Sequence, residues 1–252
     1  MATRAARVPS PAEVQAKADF KAYWDGAEKG RLSDPGRQRA LLASAHKYAI
    51  CFTQLSRAVA ANAGEEEAHR RIFLQELSSD SVHLVHALIG GDARGGRFYL
   101  RSVIENFWRH HYFRDHPVEY GWLHTRSKYY LEMKALREHC SWLDIFQGKL
   151  KTLLSDLSRL YGELSSSVHS TSSKTLILRN TLEDIKLSVE HGAAVSSDLL
   201  KVLKACLTLC IFSERLTYFG MHVNVQDFLV ASLGAREKAM LAADSGGLIA
   251  GE

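Results

Sequence analysis

Long apolar runs are missing from this sequence. The strongly apolar uncharged stretch Ala205 to Ser213 is less than half the roughly 20 residues needed to cross a bilayer. Arg4 and Arg7 are not followed by the apolar segment that a secretory signal requires. Neither membrane insertion nor export is expected. Dense basic blocks are also absent: 32 Lys and Arg against 28 Asp and Glu leave a formal charge of +4. Nucleic acid is therefore permitted as a partner but not implied by composition. Cysteine is sparse, and Cys51, Cys140, Cys206 and Cys210 show neither zinc-knuckle nor redox-dithiol spacing. They are expected as reduced core thiols in a cytoplasmic setting.

No Pro/Gly/Ser-rich linker divides the chain into halves that could each hold a core. A hydrophobic content of 46% is enough to bury one large core without metal or disulfide. No convincing run alternates apolar and polar residues as a half-buried strand does, Thr175 to Leu178 being the ambiguous spot, and no repeat is visible. The expected architecture is all-α, a single-domain bundle of about seven to nine long helices over residues 10–243. A flexible N-terminus, 1–9, and a disordered tail, 244–252, are expected to flank it.

What is present is helical patterning with start and stop signals. Ser10, Pro11 and Glu13 combine an N-cap, a proline in the first turn and a capping acid. Asp34-Pro35 opens a second helix whose Leu41, Leu42, Ala45, Tyr48, Ala49, Phe52, Leu55 and Val59 keep the spacing of a buried face as far as about Asn62. A third is expected from Glu65 to Gly90, with a bend at Ser78-Ser79. The glycine-rich segment Gly90 to Gly96 has no preceding strand and no following Lys-Ser/Thr pair, so it is expected as a turn between helices rather than a phosphate cradle. Further helices are expected over Arg97 to Asp115, Val118 to His139, Gln147 into Ser165 to Ser173, Ser197 to Phe219 and Val225 to Ala242.

The helix ending at Asp115 carries the chemistry. Leu100, Val103, Ile104, Phe107 and His111 fall on one side, and Arg101, Glu105, Arg109, Tyr112 and His116 form a stripe on the other, bordered by Trp108. Two arrangements fit: a solvated face laced by i,i+4 ion pairs, or a polar cleft inside the bundle. Ser165 and His169 stand one turn apart on a later helix and could share that cleft with Arg101, Glu105 and Tyr112. A hydrolase triad is not expected there, because no strand or nucleophile elbow is present. His110, His111, His116 and His124 raise metal binding, but His-Glu-x-x-His is absent. His110 and His111 point about 100° apart on a helix, so neither metal nor cofactor is expected.

The segment Gly95 to Pro117, with Leu100-Arg101-Ser102-Val103-Ile104-Glu105 and Tyr112-Phe113-Arg114-Asp115-His116-Pro117, together with the later Ser165 and His169, resembles a bacterial family of helical HEPN-like proteins. The resemblance implies a HEPN-like bundle of defence or toxin type. Relatives that cut RNA carry Arg, four to six residues, then His, with a polar residue directly after Arg; Arg109-His110 through His116 fits that pattern. It implies a metal-independent endoribonuclease site across a homodimer. His116 would move protons and Arg109 would stabilise charge on the phosphate. The alternatives are a non-catalytic module that recruits a protein partner and a bundle that binds a small molecule or metal. Independently of the resemblance, Phe228, Leu229, Leu233 and Met240 are expected on an exposed apolar face, which also points to a homodimer.

Overall fold

The computed structural model describes residues 9–26, 32, 34–168, 185–187 and 189–249, of which 26, 65, 167, 168, 189–196 and 244–249 are described by backbone alone. Among these residues it is all-helical. The elements are α1 (Pro11–Gly26), α2 (Pro35–Asn62), α3 (Ile72–Ile89), α4 (Ala93–Asp115), α5 (Pro117–Thr125), α6 (Met133–Trp142), α7 (Lys151–Val168), α8 (Val189–Ser213), α9 (Arg215–Gly220), α10 (Val223–Ala231) and α11 (Ala235–Ile249). The only strand-like pairing among the described residues is an isolated bridge between Leu32 and Leu187. No helix among them is long and apolar enough to cross a membrane.

Several expected helices are divided. The segment after Glu65 opens as a 3₁₀ turn, Glu65–Arg70, because the Glu67 carboxylate accepts from the Gly64 backbone N–H at 3.1 Å and from Arg70 at 3.1 Å. The break therefore falls at Arg71, not at Ser78-Ser79, where the Ser78 hydroxyl instead pairs with Thr53 across to α2. The expected helix Val118 to His139 becomes α5 and α6. The helix expected from Gln147 starts at Lys151, and its continuation beyond Val168, with Thr175 to Leu178, lies outside the described residues. The apolar helix expected to reach Phe219 stops at Ser213, where Glu214 leaves helical geometry (φ −105, ψ 31). The last expected helix is divided into α10 and α11, and α11 carries the chain to Ile249 through part of the tail expected to be disordered; residues 1–8 and 250–252 lie outside the described residues.

One continuous core joins the helices, and α4 sits at its centre, packed by α3, α5, α6, α7 and α8. Phe228 and Leu229 are fully buried and Leu233 is 5% exposed. Three of the four apolar positions that suggested a homodimer thus belong to the core of the single chain and the fourth, Met240, is half-buried against it, which weakens that argument for an interface. All four cysteines are free and buried, and burial pushes the Cys51 thiol up to about 12.

The turn between α3 and α4 places the centre. Gly91 takes a left-handed φ of 83°, which ends α3, and the Asp92 carboxylate caps α4 by accepting from the Gly95 N–H at 2.8 Å. Gly96 then lies against Leu88, where a Cβ would stand 2.5 Å from Leu88 Cδ2. Substituting Gly96→Val should force the two helices apart and cost about 1 to 3 kcal/mol. A urea melt with an unchanged midpoint would show that this close approach carries no weight.

Candidate functional site

Ten of the side chains from Leu100 to Phe113 are buried, and the other four, Arg101, Ser102, Glu105 and Arg109, share one half-buried stripe of α4. Its polar residues must find partners from neighbouring helices. Arg101 and Glu105, expected on one stripe, form an ion pair at 2.8 Å with their side chains 19% and 14% exposed. Tyr161 of α7 closes the group: its hydroxyl donates to Glu105 Oε1 at 3.0 Å and accepts from Arg101 Nη2 at 3.2 Å. Burial opposes the Arg101 charge, but the Tyr161 hydrogen bond and the Glu105 carboxylate outweigh it and hold the guanidinium protonated. The interior arrangement is the one this pair adopts.

Tyr161 was not singled out from sequence, although it stands one turn before Ser165 in the same series. Its ring meets Trp108 edge-on at 5.0 Å, and the Arg137 guanidinium of α6 lies 5.9 Å from the Trp108 ring and 6.0 Å from that of Tyr161. Ser165 follows one turn along α7 with its hydroxyl buried and, like the Trp108 indole N–H, without a hydrogen-bond partner among the described residues. His169 lies outside the described residues.

Glu105 also reaches the other way. Its second carboxylate oxygen is 3.6 Å from Arg109 Nη2, and Arg109 Nη1 donates to Asn106 Oδ1 at 3.1 Å. Asn106 in turn donates to Asp80 of α3 at 2.8 Å. Burial raises the Asp80 carboxyl above its ordinary range, against the hydrogen bonds from Ser102 and Asn106. These groups line a cleft of ≈ 350 Å³ between α3, α4 and α5, in which Arg109, Asn106 and Asp80 face Phe73, Tyr120 and His124. The His69 and His124 rings lie 6.1 and 5.0 Å from that of Tyr120, and the nearby Arg126 stacks 3.8 Å over Trp122.

His116 does not join Arg109 in this cleft. It caps the end of α4, where its Nδ1–H donates to the Tyr112 carbonyl at 2.7 Å and its ring stacks on Tyr112 at 4.1 Å. The Tyr112 hydroxyl donates to Glu119, which also accepts from Tyr129 at 3.0 Å. Those two hydrogen bonds, the one from Tyr112 foremost, hold the Glu119 carboxyl below its ordinary range. Of the expected cleft, Arg101 and Glu105 are brought together, whereas Tyr112 belongs with His116, His139 and Glu119.

The neighbouring histidines split as helix geometry requires. Fully buried His110 donates from Nε2 to Glu214 at 3.0 Å, and Arg114 reaches the same oxygen at 3.4 Å. Burial would raise the Glu214 carboxyl, but the hydrogen bond and charge of His110 and the charge of Arg114 hold it below its usual range. His111 donates from Nδ1 to the Phe107 carbonyl at 2.7 Å and accepts at Nε2 from the Ser213 hydroxyl at 2.8 Å. No group of three or more metal-ligating side chains stands together among the described residues.

Comparison with models of protein families, with curated proteins and with solved structures finds no match.

Glu105 is the hinge of the network. Glu105→Ala removes the carboxylate that balances the largely buried Arg101 and should destabilise by about 3 kcal/mol. A cycle with Arg101→Ala should show a coupling of at least about 1 kcal/mol. Single variants that melt within about 0.5 kcal/mol of the parent would mark the pair as surface-like.

His111 makes stability depend on pH. Complete burial, then the charges of His110 and Arg114, push its pKa well below the ordinary 6.5. The unfolded chain therefore takes up the proton first, so stability is complete above about pH 6.5 and falls below it by up to about 1.4 kcal/mol per pH unit. His139 is shifted down by burial and adds in the same direction. Urea midpoints between pH 7 and 5.5 should drop in the parent and drop less in His111→Gln. Equal slopes in the two proteins would refute the assignment.

Proposed function

We propose that this chain is a HEPN-like helical protein of bacterial defence or toxin type that binds single-stranded RNA at the α3/α4/α5 cleft. The supporting observation is the convergence there of one cation, Arg109, a hydrogen-bonding wall of Asn106 and Asp80, and an aromatic wall of Tyr120 and Phe73. A splayed base stacks on an aromatic ring while its edge is read by amide and carboxylate groups, and an arginine takes the adjoining phosphate. The cleft has the volume of a small-ligand site. Arg109 enters it already oriented, because Glu105 and Asn106 hold its guanidinium, and Tyr161 holds Glu105.

Fluorescence anisotropy with a labelled single-stranded RNA tests this. Tyr120→Ala should weaken binding about tenfold, the value of one lost stacking contact. Arg109→Ala should weaken it and lower the salt slope by about one. No binding at low salt, or variants that bind like the parent, would sink the proposal.

A second reading, cleavage of the bound RNA, rests on His116. Its Nδ1–H is committed to the Tyr112 carbonyl, so in the neutral ring the lone pair sits on Nε2, the atom that a proton-transfer step needs. Arg109 and His116 of one chain point to different neighbours, so joint action requires a homodimer. Light scattering that gives the monomer mass, or RNA left intact by the parent on a gel, removes this second reading and leaves binding untouched. A protein partner is the remaining alternative, and Trp142, 81% exposed at the end of α6, is the largest apolar side chain open to one.

A further inference from the structure

Helices α1 and α2 border a cleft of ≈ 390 Å³ to which α10 contributes Phe228. Its floor is apolar, made by Ala16 and Phe20 of α1, Ala43 of α2 and Phe228. Its rim is basic: Lys17, Lys21, Arg39 and Lys47 stand against one carboxylate, Glu13. Lys17 is paired with Glu13 at 3.5 Å and Lys21 with Asp25 at 2.6 Å. Arg39 and Lys47 have no carboxylate partner among the described residues. Arg39 lies 5.7 Å over the Trp24 ring, and Lys47 Nζ lies 5.9 Å over that of Phe228.

Phe20 and His46 also form a wall of a neighbouring cleft of ≈ 370 Å³ in which Tyr23, Val82 and Val85 stand among Asp19, His83 and His86, so a strip of apolar surface continues past Phe20. Solvated cations need no concave apolar floor, and an uncharged apolar ligand needs no basic rim. The two together complement a molecule with an apolar chain and one anionic head. Concavity and a volume in the small-ligand range favour a single molecule over a bilayer, which calls for an extended apolar face. We propose that this cleft binds a fatty-acid-like anion, with the chain along Phe20 and the head at Lys47 and Arg39. The inference is independent of the RNA proposal, since the two clefts share no residue.

Calorimetric titration of the full chain with octanoate, decanoate and decanol tests it. Affinity should rise from octanoate to decanoate by up to about fourfold per methylene, and decanol should bind more weakly than decanoate. The double substitution Lys47→Gln and Arg39→Gln should weaken decanoate by about tenfold while leaving decanol unchanged. Ala43→Phe, which fills the floor, should abolish binding of both in a protein that still melts cooperatively. Equal affinity for decanoate and decanol, no dependence on chain length, or no effect of the double charge substitution would overturn the proposal. Binding to phosphatidylglycerol vesicles without binding of monomeric decanoate would overturn it as well.

Discussion

A largely buried helix that nevertheless carries charge constrains the whole molecule. From Arg101 to Arg114, α4 brings guanidinium, carboxylate and imidazole groups into the core, and an unpaired buried charge costs several kcal/mol. Each neighbour therefore supplies a specific partner: Tyr161 from α7 for Arg101 and Glu105, Asp80 from α3 for Asn106, and Glu214, between α8 and α9, for His110 and Arg114. Apolar burial drives these helices together, because it is nondirectional and scales with area. The polar partners distinguish one register from its alternatives, since sliding a neighbour by one turn would leave a charge stranded.

The end of α8 shows this constraint acting on local structure. Nothing in the apolar pattern before Phe219 requires a stop, and helix propensity favours continuing. Glu214 nonetheless leaves helical geometry, and its carboxylate is held by His110 and Arg114 while the preceding Ser213 hydroxyl serves His111. Two adjacent histidines on α4 thus engage two adjacent residues at the end of α8. The carboxylate is kept ionised by its partners, and His111, buried among cations, is kept neutral. Opposite protonation preferences within one small volume follow from which partner each group meets.

The same network orients a side chain toward solvent. Tyr161 fixes one oxygen of Glu105 and the other approaches Arg109, so a contact deep between α4 and α7 bears on a group that lines the α3/α4/α5 cleft. The α1/α2 cleft is built differently, with core aromatics as its floor and surface cations as its rim. One is a polar recess extending from the central network, the other an apolar recess with a charged edge. That difference in construction underlies the different ligand chemistries assigned to them.

Patterning alone determined that this chain is helical, where α1 and α2 begin, that a turn follows Gly90, and that α4 is the helix on which polar chemistry is concentrated; it placed the end of that turn at Gly96, whereas Gly95 and Gly96 already lie in α4. Those features depend on local rules: caps, the spacing of apolar residues, and the conformational freedom of glycine. The pairing of Arg101 with Glu105 was also legible, because residues four apart on a helix meet whatever surrounds them. Tertiary structure alone decided that Tyr161 completes that pair, that Tyr112 turns to Glu119, that Arg109 faces Asp80 and Tyr120 rather than His116, and that Phe228 and Leu229 lie in the core. It also decided the breaks at Arg71 and Glu214. The physical reason is that a helical pattern specifies which residues share a face but not which neighbour covers it. A buried polar side chain turns toward whichever partner packing places within hydrogen-bond reach.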